Sequence, residues 1–172
     1  AYASANKILG MINRTIENKN SNIMLYLYKS LVRPHMEYCT AVWSPYYVKD
    51  KELIEKIQHR FTKMIIEVKH LSYADRLKKL GLWSLEERRN RSDLIEVYKM
   101  LHGSTSISYE NFFEIASDIR TRGHSMTLVK HRFETKIRQQ FFSERVINRW
   151  NSLDNDTVTA SSLNSLDRKS VV

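Results

Sequence analysis

The sequence predicts a mainly α fold: a multi-helix bundle of amphipathic helices with at most one short β-hairpin near residues 123–133. Three observations carry this expectation. Apolar residues recur at steps of three and four through most of the 172-residue chain. Only four glycines and two prolines interrupt it, too few for a sheet built on tight turns. Two helix starts are written out as S-x-x-D and S-x-x-E, in which a hydroxyl accepts an otherwise orphan backbone N–H. With 42% hydrophobic and 27% charged residues the composition is that of a folding chain. The length suits one domain, or two small helical lobes sharing a core.

The elements follow in order. Ile8, Leu9, Met11, Ile12 and Ile16 lie on one stripe, with Lys7 and Arg14 off it, which predicts an amphipathic helix over residues 5–16. The polar run ENKNSN at 17–22 is a turn, and Asn22 is placed to cap a helix through Ile23, Leu25, Leu27, Tyr28 and Leu31. Pro34 marks a break or kink. The aromatic run MEYCTAVWSPYY at 36–47 is expected to be a core helix closed by Pro45. From Lys49 the pattern is most regular: Leu53, Ile54, Ile57, Phe61, Met64, Ile65 and Val68 share a face, and Lys49, Lys56, Arg60 and Lys63 occupy the opposite one.

Ser72 with Asp75, and Ser84 with Glu87, supply the two caps, and Gly81 between them fits a C-terminal cap, where a left-handed backbone costs glycine little. A short helix over 73–80, a turn at 81–83 and a longer helix from Leu85 to the vicinity of His102, stopped by Gly103, are therefore expected. Residues 103–118 read as a connector with a helical turn and an apolar patch at Phe112, Phe113 and Ile115. Residues 125–133 alternate weakly and hold the one strand or hairpin candidate. Residues 136–153 return to helix.

Charge is the first functional clue. Twenty-eight Lys and Arg against nineteen Asp and Glu give +9 and a pI near 9.7, which favours polyanionic partners through attraction and counterion release. Net charge alone does not choose between nucleic acid, anionic lipid and acidic protein. One cysteine, Cys39, forms no internal disulfide and leaves a thiolate zinc site short of ligands, so an intracellular compartment, nucleus or cytoplasm, is expected. No apolar run approaches the roughly 20 residues that span a bilayer, so no membrane partner is expected. The opening AYASANKILG, with a helical pattern already under way, reads as the middle of a longer chain.

The catalytic arrangements sought in the sequence are weak. Asp154 and Asp156 are the nearest carboxylate pair, but their polar surroundings suit a solvated turn better than a divalent-metal site. Glu86 and Glu87 are explained by the helix macrodipole. His35 and Cys39, four apart, offer two metal ligands or a thiol beside a base; the competing reading, a small buried thiol among Tyr38, Val42 and Trp43, is preferred. Neither a G-x-S-x-G elbow nor a glycine-rich phosphate loop occurs. No cofactor is implied.

The basic constellation is stronger. Between Arg120 and Arg149 stand Arg120, Arg122, Lys130, Arg132, Lys136, Arg138, Arg145 and Arg149 against only Glu134 and Glu144, with His124 and His131 adding to them. These are phosphate-binding residue types, and Phe133, Phe141, Phe142 and Trp150 would stack on bases where exposed. Helical spacing with Val146 and Ile147 places most of those rings in the core instead. A second cluster joins Lys56, Arg60 and Lys63 to Arg88, Arg89 and Arg91, diluted by Glu52, Glu55, Glu86 and Glu87, and is balanced between a phosphate track and a solvated face. Arg33 stands open between ion-pair partner and phosphate contact.

Five runs carry a family resemblance: LYKSLVRPHMEYCTAVWSP at 27–45, LIEKIQHRFTKMI at 53–65, LSYADRLKKLGLWSLEERRNRSDLIEVYKMLHG at 71–103, TRGHSMTLVK at 121–130 and FFSERVINRWNSL at 141–153. In this order they resemble the C-terminal, thumb and post-thumb part of reverse transcriptases from LINE-type, jockey-like non-LTR retrotransposons. The resemblance implies that the helical region at 1–103 is thumb-like; with the connector at 104–122 and the basic helical region at 123–172 packing on the first, one shared domain is expected. It implies contact with RNA or an RNA–DNA duplex through phosphates and shape, and an upstream polymerase palm as partner. The chain has no Y/F-x-D-D motif and no second cysteine for a terminal knuckle, so no catalytic position carries over. The expectation is a non-catalytic nucleic-acid-binding segment of an RNA-directed DNA polymerase. The alternative is a helical interaction scaffold, docking on a polymerase core or on itself through Tyr46, Tyr47 and Trp83.

Overall fold

Steps of three and four become helices along most of the chain. The computed structural model describes residues 1–117 and 124–163, and these are mainly helical. The only β pairing among the described residues is a single antiparallel bridge between Ile115 and Leu128. The chain divides into two compact units, Ala1–Arg89 and Asn90–Val172, and each has its own apolar cluster. The divide falls inside a helix, ahead of the glycine turn at 103.

In the first unit α1, Tyr2–Thr15, buries Ala5, Leu9 and Ile12, and α2, Ser21–Leu27, buries Met24. The cap of α2 is Asn20 rather than Asn22. Its side chain accepts the Asn22 N–H at 2.8 Å, so Asn22 is the donor. Pro34 acts on the turn before it. It offers no N–H for the Ser30 carbonyl and its ring crowds that position, and residues Tyr28–Val32 widen into a π-helical turn whose Tyr28 carbonyl takes the Arg33 N–H at 2.9 Å. Pro34 then opens α3, Pro34–Glu37, at the position where a missing N–H costs nothing.

The expected core helix over 36–47 is not there. Cys39 adopts a left-handed conformation, φ 55° and ψ 36°, and separates α3 from a second single turn, α4, Thr40–Trp43. The Trp43 indole closes this corner by donating to the Tyr38 carbonyl. Met36 and Thr40 are buried and Trp43 packs against the core, whereas Tyr38 is 81% and Val42 80% exposed. Cys39 is exposed as well, not a buried thiol.

Helix α5, Val48–Met64, keeps its predicted inner face through Ile54, Ile57 and Phe61, while Leu53 lies outside the core. Both predicted caps form. Ser72 Oγ accepts the Asp75 N–H at 3.3 Å to start α6, Tyr73–Leu80, and Ser84 Oγ accepts the Glu87 N–H at 3.1 Å to start α7, Leu85–Leu101. Gly81, at φ 59°, ends α6 and lets the Leu82 N–H reach back to the Leu77 carbonyl at 2.9 Å.

A polar cluster ties these helices together. The fully buried Gln58 accepts the Tyr28 hydroxyl at 2.7 Å and donates to the Trp83 carbonyl at 2.8 Å and the Tyr73 hydroxyl at 3.2 Å. Tyr73 in turn donates to Glu55, and the second Glu55 oxygen accepts the Leu85 N–H at 2.9 Å, one of the orphan donors of α7. Burial first, and the Glu55 carboxylate second, push the Tyr73 phenol far above its ordinary range, so it stays a donor. Tyr28 stacks on Phe61 with ring centroids 4.1 Å apart. Beside this cluster the buried Arg76 donates to Thr62 Oγ1 and to the Leu71 carbonyl, each at 3.0 Å, and points Nη2 at His59 Nδ1, 3.4 Å away.

In the second unit Gly103, φ 64°, follows α7. A short 3₁₀ turn at Tyr109–Asn111 interrupts the connector. Leu128 pairs backward to Ile115, with Ala116 N–H to Thr127 C=O at 2.9 Å and Val129 N–H to Glu114 C=O at 2.8 Å. The continuous helix expected over 136–153 is instead a 3₁₀ turn, Arg138–Gln140, followed by α8, Phe142–Arg145, and α9, Ile147–Asn151. The break sits at Phe141, extended at φ −65° and ψ 150°, where Arg145 Nη1 takes the Gln140 carbonyl at 3.0 Å in place of a helical N–H. Asp154, read as a solvated turn residue, caps α10, Asn155–Val158, by accepting the Thr157 N–H at 3.0 Å.

Two outcomes test this account. Gln58→Leu leaves the buried Tyr28 hydroxyl unpaired and should cost about 1–3 kcal/mol in urea unfolding. The double variant Gln58→Leu/Tyr28→Phe should lose less than the sum of the two single changes. The second concerns His59, which burial and then Arg76 hold below its ordinary 6.5, as a neutral ring accepting from Arg76. The unfolded chain therefore takes this proton first. Stability from His59 is complete above about pH 6.5 and declines as pH falls below it, levelling once the folded ring is protonated. His59→Asn, which keeps an acceptor near Nδ1, should flatten that part of a melting-temperature profile.

Candidate nucleic-acid interface

The predicted basic residues divide into those that bond within the fold and those that face solvent. Arg88 belongs to the first group. It forms a bidentate pair with Glu37, Nη2 to Oε2 at 2.9 Å, and this bond, opposed by burial, raises its already high pKa. Arg33 joins the same carboxylate at 3.5 Å and so resolves toward an ion-pair partner. Arg89 is buried and Arg91 half-buried. In the second unit Arg145 is clamped on Asp93, at 2.7 and 2.9 Å, with its side chain 15% exposed. A guanidinium consumed this way has its fork filled by a carboxylate.

His124 is not part of a basic surface. It is 1% exposed, its Nε2 donates to the Trp150 carbonyl at 3.0 Å, and its Nδ1 accepts the Met126 N–H at 3.2 Å. Those two bonds need a neutral ring of one tautomer. The neighbouring residues continue the pattern. Trp150 Nε1 donates to the Met126 carbonyl at 2.9 Å, and the Asn151 amide grips Leu128 on both sides, accepting its N–H at 2.9 Å and donating to its carbonyl at 2.8 Å. Side chains thus supply to 124–128 the partners that a sheet would have given.

The solvent-facing cations form two separate sets. On α5, Lys49, Lys56, Arg60 and Lys63 are exposed on the predicted outer face, with Arg60 bonded to Asn6. In the second unit Lys130, Arg132, Lys136 and Arg138 are exposed along one run with Glu134 as its sole acid. Most of that run has no regular secondary structure. Lys130 reaches Asn148 Oδ1 at 2.9 Å, and His131 lies 3.5 Å from Glu114. Arg149 is also exposed. Arg120 and Arg122 lie outside the described residues.

Aromatic rings accompany the second set. Arg138 lies over the Phe133 ring at 5.5 Å and over the Phe141 ring at 5.1 Å, and its Nη2 is 3.9 Å from Glu144. Trp150 and Phe142 belong to the core, as helical spacing predicts, but Phe141 is 50% exposed.

No protein-family model, curated protein or solved structure matches the chain.

Among the described residues no group of three or more His, Cys, Asp or Glu side chains gathers as metal ligands, and none of the helices is long and apolar enough to cross a membrane. His35 lines an open groove with Ala1, Ser4, Pro34, Tyr38 and Trp43. Sequence reasoning missed Glu37, Asp93, Asn148 and Asn151, each of which bonds a residue far along the chain, and local periodicity carries no trace of such pairs.

The division among the arginines is measurable. Removing one partner of a buried pair strands the other, so Arg145→Ala should lower the stability of the second unit by about 3–5 kcal/mol in denaturant unfolding. Arg132→Ala, at an exposed position, should stay within about 0.5 kcal/mol of the parent.

Proposed function

We propose that the chain is a non-catalytic nucleic-acid-binding segment, the thumb and post-thumb part of a LINE-type, jockey-like reverse transcriptase, which holds RNA or an RNA–DNA duplex through phosphates. The observation that carries this reading is the exposed run of Lys130, Arg132, Lys136 and Arg138, which contains one acid, Glu134. Phosphate contacts need cations whose donors face solvent, and most of the affinity then comes from released counterions. The +9 charge of the whole chain adds long-range attraction. The five sequence runs supply the parent: a polymerase whose palm precedes this segment and whose work lies in the nucleus or cytoplasm. Lys56 and Lys63, exposed on α5, are a second phosphate track in the same reading.

A scaffold role has its own support. Tyr38, Val42, Tyr47 and Val48 are exposed close together in sequence, more apolar surface than a short solvent-facing stretch usually shows. An upstream polymerase core or a second copy would cover them.

One experiment separates the two. Titrating a labelled RNA–DNA hybrid with the full chain should give binding that weakens steeply with salt. Arg132→Glu with Lys136→Glu should reduce affinity at least about tenfold and flatten the salt dependence by about one unit per cation removed. Sedimentation of the same variant should be unchanged if association runs through the Tyr38 to Val48 surface. Binding of neither the hybrid nor single-stranded RNA at low ionic strength sinks the nucleic-acid reading.

A further inference from the structure

The rings beside the basic run differ from the core aromatics of the second unit, Phe113 and Trp150. Phe142 packs against the core and its cation, Arg145, is tied to Asp93. Phe141, the next residue along, remains half in water although Arg138 lies 5.1 Å over it. Arg138 also covers Phe133 at 5.5 Å, and Phe133 meets the His131 ring edge-on at 6.5 Å. Four π-bearing groups, His131, Phe133, Arg138 and Phe141, therefore form one continuous contact chain. Ile137 beside them is 65% exposed. Lys130, Arg132 and Lys136 alternate with them in sequence and are exposed.

Burial does not account for Phe141, which stays half exposed, although Phe133 is partly covered. A surface cation–π contact is a weak stabiliser, and exposing an unbranched aromatic forgoes most of its hydrophobic contribution. What the chain of rings does offer is flat apolar surface and a planar guanidinium between phosphate-binding cations. A base presents a matching π-face, but in a duplex those faces are covered by the neighbouring pairs, leaving phosphates and groove edges. Only unpaired nucleotides present the faces that these rings can stack on.

We propose that His131, Phe133, Arg138 and Phe141 form a stacking platform for unpaired bases, so that this site takes single-stranded nucleic acid in preference to duplex. The inference rests on the nucleic-acid reading above and narrows its ligand. Lys130, Arg132 and Lys136 hold the phosphates and the rings hold the bases. Stacking has no sequence code, so the preference is for strandedness rather than for a motif.

The test compares two labelled probes with the full chain by fluorescence anisotropy: a short oligouridylate and an RNA hairpin duplex with the same number of phosphates. Phe141→Leu keeps an apolar side chain and removes the ring. It should weaken oligouridylate binding about tenfold, the loss of one stacked base, and leave hairpin binding and the thermal melt unchanged. Arg138→Lys keeps the charge and removes the plane, and should act in the same direction. Arg132→Glu with Lys136→Glu should weaken both probes. Equal affinity of the parent chain for the two probes, with Phe141→Leu silent on both, overturns the platform while leaving nucleic-acid binding intact. Equal loss on both probes in Phe141→Leu also overturns it. Binding of neither probe at low salt removes the platform together with the reading beneath it.

Discussion

The side chain of Gln58, on α5, sits where three other segments of the first unit meet, and its amide bonds to each of them. Its oxygen takes the Tyr28 hydroxyl and its nitrogen serves the Trp83 carbonyl and the Tyr73 hydroxyl. A buried polar group of this kind is costly unless paired, and when paired it admits few alternative arrangements. An apolar side chain of the same size would fill the space without fixing the rotation of α6 against α5. The neighbouring carboxylate extends the constraint, because Glu55 bonds both Tyr73 and the first N–H of α7. The start of α7 is thus held by Ser84 from within and by Glu55 from across the core.

The second unit solves a different problem. Its backbone between 124 and 128 borders the core with no helix and a single β-bridge, at Leu128, to satisfy it. His124, Trp150 and Asn151 substitute side-chain donors and acceptors, one residue at a time. The short turns of α8 and α9 follow from this, since they present Arg145 to Asp93 and Asn151 to Leu128 within a few residues. Basic residues are divided by the same logic. Those needed to close the fold, such as Arg88 and Arg145, are engaged by carboxylates, whereas the exposed ones of the second unit lie mostly on the irregular run ahead of Phe141.

Much of the fold was legible because it is local. Ser72, Gly81 and Ser84 place α6 and α7 through chemistry that acts over three or four residues, and α5 announces itself by periodicity. Legibility fails where the deciding partner is distant or where the backbone departs from helix for a tertiary reason. The run 36–47 has the composition of a core segment, yet beyond the left-handed Cys39 it is no continuous helix, and Tyr38 and Tyr47 face outward. Residues 136–153 have a helical pattern, yet Phe141 is extended. The site was legible as a region but not as a set: charge density pointed to 120–149, while only the carboxylate on Asp93 and the carbonyl of Trp150 show why Arg145 and His124 are structural.

The turn at Cys39 also has a chemical consequence. It leaves the chain's one thiol exposed, on a corner flanked by the outward-facing Tyr38 and Val42. With no second cysteine to pair with, oxidation in air joins two molecules rather than closing a loop. Such a covalent pair would bring two copies of the same apolar corner together and imitate genuine self-association. A reductant in the buffer distinguishes them, and the same uniqueness makes Cys39 a single point for attaching a fluorescent reporter to the first unit.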